Sequence, residues 1–169
     1  MRGPSGPLQS GEPSGQPVPS GPLQSGEQRG RALGLDLGAK RIGVAISDSD
    51  RTVATPIEVL TRSGDVARDR LRIREIVAEW EATTVVVGLP LSLSGQVGTA
   101  AKAALAEVEA LRATLGVQVE TYDERLSTVT AERSLMEQSL RAPARRRVVD
   151  KVAAAVMLQA WLDRGRATS

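Results

Sequence analysis

The sequence predicts an α/β layered domain, a five-stranded mixed sheet covered by helices. Three observations carry this. Short alternating or continuous apolar runs recur five times, apolar stripes at helical spacing separate the later ones, and Gly- or Pro-containing turns divide them. The order reads β-β-β-α-β-α-β-α-α, an antiparallel meander followed by βα units, which calls for one sheet with mixed strand directions.

Each element has its own signal. Leu33, Leu35 and Leu37 alternate within a strand over 32–37, and the Gly38-Ala39-Lys40-Arg41 turn leads into a second strand over 42–47, close enough to pair as a hairpin. The third run, 52–60, contains Pro56, which suits an edge strand. Residues 65–80 form a helix with Val66, Ile73, Ile76, Val77 and Trp80 on one face and Arg68, Arg72, Glu75 and Glu79 on the other. The continuous apolar run 84–87 marks a buried central strand, followed by a Gly-, Pro- and Ser-containing loop over 88–98. Ala101, Ala104, Leu105, Val108, Leu111 and Leu115 trace a second helix, and 117–122 alternates as the last strand. Helices over about 128–138 and 147–162 close the chain, and Ala153, Ala154 and Ala155 suggest that the last packs tightly on the sheet.

Residues 1–30 stand apart as a low-complexity tail. Ser5–Glu12 recurs unchanged as Ser20–Glu27, and a stretch so poor in large apolar residues buries too little to offset its ordering entropy, so it is expected to be disordered. The expected domain is therefore 31–169. Nothing approaches the ~18 apolar residues of a membrane span. The N-terminus lacks an apolar signal core. A cytoplasmic protein is expected.

Composition narrows the chemistry. The 169-residue chain has no Cys and no His, which removes thiolate and imidazole catalysis and their metal sites. Carboxylates remain, and oxygen donors suit Mg²⁺ or Mn²⁺. Net charge is only +2, although Arg141, Arg145, Arg146 and Arg147 form a local cluster able to meet phosphate.

Asp36 lies inside the first apolar strand, where a charge calls for a partner or a metal; as a strand-end residue it could equally cap the turn. Asp150 precedes Ala153, Ala154, Met157, Leu158 and Trp161 by helical steps, so it heads a core-facing stripe. A first-turn Asp is also favoured by the helix dipole. Asp123-Glu124-Arg125 follows the last strand, and alternation puts Asp123 and Glu124 on opposite faces without choosing between them. Carboxylates drawn together from these elements could hold two divalent ions ~4 Å apart around a phosphodiester.

Four motifs in order resemble the YqgF family: Leu33-Gly34-Leu35-Asp36-Leu37-Gly38 with Lys40-Arg41-Ile42-Gly43-Val44-Ala45; Val87-Gly88-Leu89-Pro90 with Gly95; Asp123 to Thr128; and Val149-Asp150 before an Ala-rich helix. Members of that family are named as pre-16S rRNA nucleases or Holliday junction resolvases. The resemblance, over about 31–163, implies an RNase H-like fold, Asp36, Glu124 and Asp150 as catalytic metal ligands, and Lys40, Arg41 and Arg125 as substrate-binding residues. Asp123, or backbone or water oxygens, would complete the shell. It further implies structured RNA or branched DNA as partner, no membrane, and a monomer or homodimer. Other readings are a non-catalytic nucleic-acid-binding module and, from Asp36-x-Gly38, a sugar-kinase or actin-like ATPase lobe, although those proteins need two such lobes.

Overall fold

The computed structural model describes residues 29–92, 94–128 and 143–168. Strands Arg31–Leu37 (β1), Arg41–Ser47 (β2), Ala54–Thr61 (β3), Ala82–Leu89 (β4) and Gln118–Asp123 (β5) form one sheet in the order β3-β2-β1-β4-β5. β1 pairs antiparallel with β2, and β2 with β3; β1–β4 and β4–β5 are parallel. Helices Val66–Glu79 (α1) and Thr99–Leu115 (α2) cover one face. The long helix Pro143–Ala167 (α3) covers the other.

Alternation within the strands sorts side chains by size. Leu33, Leu35, Ile42, Val44, Val85 and Val87 face α1 and α2, meeting Ile73, Ile76, Val108 and Leu111. With no Phe in the chain, this aliphatic layer supplies much of the stability, about 1.5–3 kcal/mol for each fully buried side chain. The opposite face carries small residues, Ala32 and Ala45 with Val86, against Ala153, Ala154, Met157, Leu158 and Leu162 of α3. A Cβ on Gly34 would lie 2.9 Å from Leu158 Cβ and 3.3 Å from the Ala154 carbonyl, so α3 rests almost directly on the strands.

Local chemistry sets the boundaries. Asp65 caps α1 by accepting hydrogen bonds from the Ala67 and Arg68 amides, and Gly116, at φ 68°, ends α2 in a left-handed turn. β3 is an edge strand, and Pro56 sits where its register slips: Val44 pairs with Glu58 but Ala45 with Pro56. The missing Pro amide thus falls at a bulge.

Several expectations shift. β4 runs from Ala82 to Leu89, longer than the apolar run, and α3 begins four residues before Arg147, at Pro143, a residue suited to the first helical position. Val66 and Leu105 are exposed rather than in the core. Val66 is the first helical residue, and Leu105 lies at the margin of the narrow stripe Ala101, Ala104, Val108, Leu111 and Leu115. The helix expected over 128–138, residues 1–28 of the tail, and Arg141, Arg145 and Arg146 as side chains lie outside the described residues, and Thr128 itself lies in a bend. Among the described residues no helix is long and apolar enough to cross a membrane.

The patterning did not anticipate the burial of Asp69, on α1. Burial works to raise its pKa, but hydrogen bonds from Ser63, whose amide donates at 3.0 Å, and the charges of Arg62 and Arg68 outweigh it and hold the carboxyl below the usual range. A carboxyl whose pKa is depressed by folding adds stability above its unfolded pKa and loses it as pH falls through the folded value. Asp69→Asn is therefore expected to cost about 1 kcal/mol at pH 7. Urea melts should show the gap closing below about pH 4; a gap constant down to pH 2.5 (on the order of one unit below that) would contradict the assignment.

Candidate metal centre

The site is built on a row of three residues across the sheet. Asp36 pairs with Gly43 on β2, and the register that sets Leu35 beside Val87 carries Asp36 to the level of Gly88 on β4. Residues level across a sheet share a face, one strand spacing of about 4.8 Å apart. A carboxylate is thus flanked on both sides by glycine, on the face that α3 covers.

Each glycine leaves room for an incoming group. A Cβ on Gly43 would overlap the Asp150 carbonyl oxygen, so the first turns of α3 touch the sheet there. A Cβ on Gly88 would lie 2.6 Å from Glu124 Oε1, so the Glu124 carboxylate occupies the space above Gly88. Asp36 and Glu124 are both buried. Asp150 is half-buried at the head of its apolar stripe, as its spacing suggests.

Asp123 and Glu124 differ in their surroundings. Asp123 ends β5 and caps the short 3₁₀ turn Glu124–Leu126, accepting from the Arg125 amide at 3.0 Å. Its carboxylate also holds the Arg125 guanidinium at 2.5 Å, and that contact keeps the Asp123 carboxyl below the usual range. The turn breaks strand alternation and folds Glu124 inward.

The basic residues divide. Lys40 is exposed in the β1–β2 turn. Arg41 donates through Nε to Asp150 Oδ2 at 2.5 Å, tying β2 to α3. Arg125 stays on Asp123 and lies over Gly95, whose φ is +80°, in the loop after β4. Arg147, the described member of the Arg cluster's side chains, donates to Thr61 at 3.2 Å. Beneath the turn, Arg62 donates to the Gly38 carbonyl at 3.0 Å and grips Glu107 with two bonds of 2.8 and 3.0 Å. Neither the Arg41–Asp150 nor the Arg62–Glu107 pair was legible from local sequence, since each joins distant elements.

The donor set fits a hard divalent cation: carboxylate oxygens from three elements, two of them buried, in a chain without His or Cys. Among the described residues no three acidic groups have drawn together to the spacing of a metal shell. Asp150 is engaged by Arg41 instead.

A family profile described as RuvX, Holliday junction resolvase, matches residues 30–164. A protein of Nocardia farcinica named "Putative pre-16S rRNA nuclease" is 49% identical over 140 residues, covering 79% of this chain and 78% of its own. One of the same name from Leifsonia xyli is 50% identical over 141 residues, covering 83% and 90%. The solved structure of T. thermophilus RuvC in complex with Holliday junction substrate superposes with a TM-score of 0.52 at 18% identity, over 80% of this chain and 96% of its own. That likeness establishes the RNase H-like fold.

The two glycines should differ in tolerance. Gly43→Ala drives a methyl group into α3 backbone and is expected to cost about 2–3 kcal/mol. Gly88→Ala meets only the end of a side chain and should cost about 1 kcal/mol or less while displacing Glu124. Equal losses in urea melts would contradict the backbone contact at Gly43.

Proposed function

The chain belongs to the RuvX Holliday junction resolvase family, and on that premise we propose that it is a divalent-metal-dependent nuclease hydrolysing phosphodiester bonds in the 5′-end processing of the 16S rRNA precursor. The observation that carries this reading is the row Gly43–Asp36–Gly88, with Asp150 above one glycine and Glu124 above the other. Relatives about half identical to this chain bear the nuclease name, which supports the rRNA substrate.

Asp36, Glu124 and Asp150 would hold Mg²⁺ or Mn²⁺. When bound, the cation supplies Lewis-acid stabilisation of charge on the phosphoryl group. Burial of Asp36 and Glu124 restricts the motion open to their carboxylates. Lys40, exposed beside the site, meets substrate phosphate as a point charge; Arg41 and Arg125 offer planar forks once their carboxylate partners yield them. With no imidazole or thiol in the chain, proton transfer would fall chiefly to carboxylates and water. Residues 31–169 would form the catalytic domain, working in the cytoplasm, after the low-complexity stretch 1–30, whose last two residues accept hydrogen bonds from Arg51 through their carbonyls.

The family description favours a second reading, cleavage of branched DNA. A resolvase cuts two strands symmetrically and so acts as a homodimer; an rRNA-processing enzyme can act as a monomer.

Assay of the full chain with Mg²⁺ or Mn²⁺ on a precursor rRNA fragment and on a four-way DNA junction separates the two. Asp36→Asn, Glu124→Gln and Asp150→Asn should each lower cleavage by more than about 100-fold with the fold retained, since even the partners of metal ligands are worth about 10–100-fold. Undiminished cleavage by Asp36→Asn would overturn the catalytic assignment.

A further inference from the structure

Arg41 and Asp150 meet because α3 touches β2. Gly43 lies two residues beyond Arg41 on the same face of β2, and the Asp150 carbonyl sits against it. That contact delivers the Asp150 carboxylate to the Arg41 Nε, across 109 residues of sequence, with side chains 27% and 20% exposed. The cation on Asp150 is thus part of the packing of this helix end.

The electrostatic consequence is direct. A carboxylate oxygen engaged by a guanidinium is not offered to a metal, and a guanidinium beside a doubly charged ion is repelled by it. Arg41 meanwhile balances the charge of Asp150 in the absence of a metal. Once off Asp150, its fork is open to a phosphate. Arg147, hydrogen-bonded to Thr61, which pairs with Arg41 across β2 and β3, adds a second cation on that side.

We propose that Arg41 is a resident counter-cation of Asp150, displaced when a divalent ion binds and thereby released toward substrate phosphate. This rests on the metal centre put forward above and adds to it a coupling: metal affinity is lowered by the ion pair, and occupancy of the metal site frees a phosphate-binding group. Linkage makes the coupling reciprocal, so phosphate bound by Arg41 tightens metal binding.

Mn²⁺ titration of the full chain, followed by electron paramagnetic resonance, tests this without any cleavage. Wild type should bind Mn²⁺ saturably, and Asp36→Asn should abolish that binding. Arg41→Gln should bind Mn²⁺ about fivefold more tightly, the equivalent of a partly exposed ion pair removed, and Arg41→Lys should return toward wild type. Unchanged or weaker binding by Arg41→Gln overturns the counter-cation and leaves the metal centre standing. Absence of saturable, Asp36-dependent binding in wild type overturns the metal centre and the counter-cation with it. Should Arg41→Gln fold poorly, the Arg41 Nε–H resonance of the wild-type chain reports directly: it should move on addition of Mg²⁺, and a resonance unmoved at saturation overturns the displacement.

Discussion

The site depends on how closely α3 approaches the sheet. Gly34 and Gly43 remove the side chains that would hold the helix away, and Ala154 presents a small surface in return. Asp150 can therefore stand beside β2, one strand from Asp36. Larger residues at either glycine would lift the helix and draw Asp150 off the site before altering any carboxylate. The aliphatic face toward α1 and α2 carries the bulk of the core, which leaves the α3 face free to be shaped for proximity.

Charge at the site is balanced by pairs with different duties. Asp123 and Arg125 stabilise the turn that aims Glu124 inward. Arg62 and Glu107, both largely buried, brace the β1–β2 turn from the opposite face of the sheet through the Gly38 carbonyl. Removing one partner of such a pair leaves the other buried and unpaired, so the pair holds Arg62 against the turn after Asp36. Arg41 and Asp150 differ from these because Asp150 is also a candidate metal ligand.

Much of this was legible in the sequence wherever the signal was local and periodic. The described strands and helices followed alternation and 3.6-residue stripes, the edge position of β3 followed Pro56, and Ala153 to Ala155 announced a tightly packed helix. Asp36 was legible as a charge in an apolar strand. The burial of Glu124 was not, because a 3₁₀ turn interrupts the alternation at that point. The glycines opposite Asp36 were visible as motif residues, but their use as landing places for Asp150 and Glu124 depends on strand register. Arg41–Asp150, Arg62–Glu107 and the buried Asp69 depend on tertiary contacts that periodicity does not encode.

The central claim is that Asp36, between two glycines, is the focus of a divalent-metal site shared with Glu124 and Asp150. A crystal of the chain soaked in Mn²⁺ and measured at the manganese absorption edge tests it most directly. The expected result is an anomalous peak bounded by the carboxylates of Asp36, Glu124 and Asp150, with Arg41 turned away from Asp150. A peak bound elsewhere, with Asp36 coordinating nothing, would contradict it.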